Sequence, residues 1–104
     1  MPQYLYKIQP VRPAMLSDGP TDDEIRLTGE HFAYLQRLTK EGVVILAGRT
    51  QDTGYASFGL VIFNADDDAA AHAIVQNDPV VKERVMRAEV YPYAIALHEP
   101  NNAN

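Results

Sequence analysis

Residues 21–48, TDDEIRLTGEHFAYLQRLTKEGVVILAG, decide the fold: they carry a helix marked at both ends with a strand directly behind it. Thr21-x-x-Glu24 is a capping box, in which the hydroxyl accepts from the backbone N–H three residues on while Glu24 reaches back. Asp22 and Asp23 favour the positive end of the helix dipole. Ile25, Thr28, Phe32, Leu35 and Leu38 recur at three-or-four spacing with charged residues opposite, and Gly42 terminates the helix after Lys40. His31 falls on the flank of that apolar stripe, beside Leu27, Leu35 and Leu38, where partial burial is expected. Residues 43–47 then form a continuous apolar run ending at Gly48, which predicts a strand.

Working outward toward the N-terminus, residues 4–9 set Tyr4, Tyr6 and Ile8 against Leu5, Lys7 and Gln9. This period of two predicts a strand, ended by Pro10. Residues 10–20 hold three prolines and Gly19 around Met15 and Leu16. They predict an irregular connection, long for a compact domain and suited to a lid or binding loop. Toward the C-terminus, residues 59–63 predict a strand that pairs with 43–47 as a hairpin, with turn chemistry at residues 51–55. Asn64 or Asp66 can cap a second helix running through Ala69, Ala70, Ala73, Ile74 and Val75. Asp78 caps a short third helix with Pro79 at its first position, where a missing N–H costs nothing. A last strand over residues 88–98 sets Tyr91, Tyr93, Ile95 and Leu97 on one face and Pro92, Ala94 and Ala96 on the other. Residues 99–104 carry no large apolar anchor and are expected to form a flexible tail.

The resulting order, βαββαβ with an extra helical turn before the last strand, predicts an α+β, ferredoxin-like fold with a largely antiparallel sheet. Helices in this arrangement cover one face, yet the strands carry large apolar residues on both. The second face therefore predicts a homodimer, packed sheet on sheet about a two-fold axis.

A chain of 104 residues suits one domain, residues 1–104, burying roughly 60–70% of its unfolded surface. There is no cysteine, which excludes disulfides, thiolate nucleophiles and iron–sulfur ligation. No apolar run approaches the roughly 20 residues that span a bilayer, and Met1-Pro2-Gln3-Tyr4 lacks the regions of a signal peptide, so a cytoplasmic protein without membrane partners is expected. A net charge of −5 with nine scattered Lys and Arg residues argues against nucleic-acid binding.

His31 and Asp78 form the sole general acid/base pair the sequence offers, provided the fold brings them together. A carboxylate on one imidazole nitrogen fixes the tautomer and leaves the other nitrogen to take or give a proton. In that mechanism His31 abstracts an acidic proton, Asp78 orients it, and Arg49 or Arg12 binds the substrate and stabilises the developing oxyanion. The competing reading makes His31 a half-buried helix residue and Asp78 a plain N-cap. His72 and His98 would have to converge with His31 to bind a metal, and no pair has the helical i, i+4 ligand spacing, so no metal is expected. Tyr4, Tyr6, Tyr91 and Tyr93 are expected to line the sheet and dimer face. Ser17 and Ser57 lack a nucleophile context, and Gly48, Gly54 and Gly59 do not form a phosphate loop; no cofactor is expected.

Residues 31–42 (HFAYLQRLTKEG), 44–48 (VILAG), 77–81 (NDPVV) and 89–93 (EVYPY) together resemble the YciI-like, or YCII-related, family. The resemblance implies the dimeric α+β barrel fold and an active-site His–Asp pair, carried here by His31 and Asp78. The family activity nearest to hand is dehydrochlorination of a chlorinated hydroxyquinol. Two departures bear on substrate: Arg49 stands where the family commonly has Pro after Ala-Gly, and the connection over residues 10–20 looks longer and richer in proline. The function expected is a small cofactor-independent lyase or isomerase acting by proton transfer on a small organic acid, aromatic or lactone-like. The alternatives are a non-catalytic dimeric ligand-binding or accessory protein, and a structural partner domain using its apolar sheet face.

Overall fold

The strand Gln3–Pro10 (β1) lies inside a four-stranded sheet, with Gly59–Asn64 (β3) on one side and Met86–Tyr93 (β4) on the other; Val44–Arg49 (β2) forms the edge beyond β3. The computed structural model describes residues 1–103, and Asn104 of the expected tail lies outside the described residues. All three pairings are antiparallel, and the order β2-β3-β1-β4 is that of the ferredoxin-like fold. The helices are Ala14–Ser17 (α1), Asp22–Lys40 (α2), Asp68–Gln76 (α3) and Pro79–Lys82 (α4), followed by a 3-10 turn at Pro100–Ala103.

Alternation along β1 sends Tyr4, Tyr6 and Ile8 into the core, and their register partners Phe63, Val61 and Gly59 share that face. Gly59 leaves room for Ile8 there, since a Cβ would stand 3.0 Å from the Ile8 side chain. Tyr6 and Phe63 are fully buried and meet edge to face, with ring centroids 5.6 Å apart. Leu27, Leu35 and Leu38 of α2, Ala71 and Val75 of α3, and Val80 of α4 complete the core. Two β1 tyrosines also reach helix starts: Tyr4 donates to Asp68 and Tyr6 to Asp78.

The capping box on Thr21 and Glu24 forms as the sequence predicts, and the Gly42 backbone takes a positive φ of 82° after the helix. Four details differ. The buried stripe of α2 is Glu24, Leu27, Leu35 and Leu38, with His31 nearly enclosed, whereas Ile25 and Phe32 are 56% and 62% exposed. The connection over residues 10–20 is not wholly irregular: α1 forms behind Pro13 and buries Met15. The cap of α3 is Asp67, which accepts from Ala70 N–H, while Asn64 ends β3 and donates to Gly42 O. The last strand stops at Tyr93 because its partner β1 ends at Gln3, the residue opposite; residues 95–97 have no ladder to join.

The sheet face turned away from the helices is less apolar than alternation alone suggests. Register places Leu5, Ile62, Leu46, Tyr91 and Tyr93 there, with Lys7, Glu89 and Arg87 on the same face. Leu46, Tyr91 and Tyr93 remain 44–48% exposed.

Candidate active site

Asp78 closes the turn between α3 and α4, with Pro79 at the first helical position and the Asp78 carboxylate accepting from Val80 N–H at 3.1 Å. Capping chemistry thus accounts for one bond of this side chain. The same carboxylate is fully buried, and its Oδ2 accepts from the Tyr6 hydroxyl at 2.7 Å. His31 Nδ1 stands 2.8 Å from Oδ1 and 2.7 Å from Oδ2. An ionised carboxylate without water is costly unless its lone pairs are occupied, and three donors from α2, β1 and α4 occupy them here.

The geometry also fixes the imidazole. A carboxylate only accepts, so Nδ1 carries the hydrogen, and in the neutral ring Nε2 presents a lone pair. The His31 side chain is 15% exposed, and no described residue bonds Nε2. The ring forms part of the wall of a cavity of about 890 Å³ between α2, α1 and the β2–β3 hairpin. Phe32 and Leu35 of α2, Met15 and Leu16 of α1, and Val61 of β3 make much of that wall apolar. Its polar side chains are Thr28, His31, Gln36, Thr39 and Lys40 of α2, Arg49 of β2, and Ser57.

Tyr6 is a neighbour of the pair that sequence reasoning placed with Tyr4, Tyr91 and Tyr93 on the sheet and dimer face; Tyr4 and Tyr6 instead point to the helix-covered face, where they are buried, and only Tyr91 and Tyr93 lie on the open one. The Tyr6 phenol is pushed up from the ordinary range, first by burial and then by the charge and hydrogen bond of Asp78, so it stays a donor. Alternation shows that Tyr6 points inward, but no pattern couples it to a residue 72 positions away. Tyr34 adds a second hydroxyl nearby: it donates to Ile74 O, and burial followed by the Asp78 charge pushes it up to about 12.

The two arginines separate. Arg49 ends β2 in the cavity wall, and no described side chain pairs with it. Arg12 instead grips Glu24, with Nε at 3.0 Å and Nη2 at 2.6 Å, and donates to Gly19 O. That clamp ties the connection bearing α1 to the start of α2. It holds the Glu24 carboxyl down at about 2, through the Arg12 bonds first and the Thr21 N–H second. His72 is an exposed α3 residue whose Nδ1 bonds Asp68 O, and His98 lies beyond β4; among the described residues no group of three metal-ligating side chains forms.

Comparison with solved structures places this architecture among known folds. The chain is similar to 5-chloro-2-hydroxyhydroquinone dehydrochlorinase of Burkholderia phenoliruptrix AC1100, solved in complex with 2,5-dihydroxybenzoquinone: TM-score 0.66, 22% identity, over 88% of this chain and 93% of that one. It is also similar to muconolactone isomerase, with TM-score 0.66 and 16% identity over 94% of both chains. No functionally curated protein matches the sequence. The model of the YCII-related domain matches residues 5–94, from the first strand to the end of the sheet and across both His31 and Asp78; the chain belongs to the YCII-related family.

Proposed function

We propose that this protein is a proton-transfer enzyme of the lyase or isomerase type, in which His31 Nε2 is the general base and Asp78 orients it. The observation that carries the reading is the junction itself: a fully buried carboxylate holds Nδ1 of an imidazole whose ring borders a mostly apolar cavity. A plain N-cap needs neither that burial nor the histidine. The mechanism asks only for a substrate with an acidic C–H or O–H, a base near neutral pH and a donor for the developing oxyanion. Arg49 and Lys40 are the cations on the cavity wall that can hold an anionic substrate group, whereas Arg12 is engaged by Glu24.

Two similar folds act, by their names, on a chlorinated hydroxyhydroquinone and on muconolactone. They support a small, oxygenated ring compound as the substrate class. The exposed Leu46, Tyr91 and Tyr93 support a homodimer formed through the open sheet face.

The test is a panel of hydroxyquinones, chlorinated hydroxyquinols and lactone acids, followed by absorbance and by deuterium uptake from solvent. The expected result is turnover or exchange that falls at least about a hundredfold in His31→Ala while the fold persists. Equal rates in wild type and His31→Ala, or no reaction anywhere in the panel, overturn the enzyme in favour of a ligand-binding protein.

A further inference from the structure

Thr28 lies one helical turn before His31 and lines the same cavity. Its Oγ1 is buried and makes no hydrogen bond, the one buried side-chain polar atom of which this is true among the described residues. A threonine in a helix ordinarily returns its hydroxyl to the carbonyl four residues back. Thr39, on the same helix, does so, donating to Leu35 O at 2.7 Å. Thr28 leaves that option unused, although an unpaired hydroxyl away from water is destabilising. No residue of the chain satisfies it, and the cavity that Thr28 lines is the route by which an outside partner can reach it.

We infer that Thr28 donates its hydroxyl hydrogen to a substrate oxygen, and that the substrate class is a carbonyl compound with an acidic C–H beside the carbonyl. The inference rests on His31 as base. Residues three apart on a helix have Cβ atoms roughly 5–6 Å apart on one face, so Thr28 and His31 can serve neighbouring atoms of one small ligand. Nε2 takes the proton from the carbon beside the carbonyl. The C–H pair becomes a new C=C bond, and the carbonyl π pair moves onto oxygen, where the Thr28 hydroxyl meets the negative charge. Where a second C=C is conjugated with the enolate, the proton returns from Nε2–H to the far carbon of that double bond, giving an isomer. Alternatively the enolate expels an anion from the adjacent carbon and the proton passes to solvent, giving elimination. Both routes balance without a further reactant.

The experiment separates this inference from the enzyme reading because it measures binding. Cyclohexanone and methylenecyclohexane have nearly the same shape, and only the first carries an acceptor oxygen. Loss of the ketone preference in Thr28→Val therefore reports on the Thr28 donor itself. Affinities would be taken from ¹H–¹⁵N shift titrations of wild type, Thr28→Val and Thr28→Ser. The ketone is expected to bind about tenfold more tightly than the alkene in wild type and in Thr28→Ser, and equally with it in Thr28→Val. Thr28→Val should also match or exceed the wild-type melting temperature, since it removes an unpaired hydroxyl. A ketone preference that survives in Thr28→Val, or that is missing from wild type, overturns the inference; Thr28→Ala gives the same reading if the valine variant does not fold. Failure of the enzyme reading appears elsewhere, as turnover unaffected by His31→Ala.

Discussion

The Tyr6 hydroxyl donates to Asp78 at 2.7 Å across 72 residues of chain, so the sheet's most deeply buried tyrosine holds the carboxylate that holds His31. The imidazole is thereby set by three elements at once: its own helix α2, the turn before α4, and β1. Tyr6→Phe should keep the ring packing against Phe63 and lose only the donor. The expected cost is about 1.5–3 kcal/mol of stability, since the bond is to a buried charge, together with a several-fold loss of turnover. Urea unfolding and steady-state rates check both; an unchanged midpoint would show that the bond contributes nothing.

Asparagine caps helices about as well as aspartate, so Asp78→Asn leaves the α4 cap in place and removes the charge. The amide can offer either its oxygen or its nitrogen to His31 Nδ1, and the ring is no longer confined to one tautomer. Histidine ¹⁵N shifts should show the Nδ1–H form in wild type and a mixture in Asp78→Asn. Turnover should fall by about a hundredfold or more. A single unchanged tautomer in the variant would remove Asp78 from its orienting role.

The Glu24 carboxyl lies well below its ordinary value of 4.5, at about 2, because Arg12 and the Thr21 N–H stabilise its charged form. A folded-state value below the unfolded one means that the stabilisation is complete above about pH 5 and is lost as pH falls from about 4.5 toward 2. The Arg12 side chain is 42% exposed, so solvent screening limits the effect to about 1–2 kcal/mol. Glu24→Gln should therefore lower the melting temperature at pH 7 and bring the two proteins together near pH 2. It should also speed proteolysis around residues 12–19, which the clamp restrains. Parallel melting curves across that pH range would refute the assignment.

Arg84 follows α4 with a φ of 60°, in the left-handed region that non-glycine residues rarely adopt. Arg84→Gly should stabilise the protein by about 0.5–1 kcal/mol, and Arg84→Val should destabilise it. Denaturant midpoints of both variants decide the matter, and a loss of stability in the glycine variant would show that the arginine side chain contributes more than the strain costs.

If the open sheet face joins two copies, light scattering should give twice the 11.6 kDa of one chain. Leu5→Glu should then yield a monomer, because it places a charge on β1, inside that face between Ile62 and Tyr91. A wild-type monomer at micromolar concentration would rule the dimer out.

Local chemistry determined a great deal about this protein from its sequence. The capping box at Thr21, the period-two alternation of β1, the apolar run at Val44 and the Asp78-Pro79 start each act within a few residues. Together they specified the βαββαβ order, and the sheet follows from it. In two places where sequence reading strayed, a partner distant in sequence had the deciding role. Residues 95–97 alternate like a strand but have no β1 residue opposite, and the face carrying Phe32 opens on the cavity because α2 turns its Leu27–Leu35–Leu38 stripe to the sheet. Only the tertiary structure decided the site: that Asp78 is buried as well as a cap, that Tyr6 donates to it, that Arg12 is committed to Glu24, and that Thr28 carries an unpaired hydroxyl beside His31. The physical reason is that propensity and capping are properties of neighbours in the chain, whereas burial and hydrogen-bond satisfaction belong to whichever elements the fold packs together.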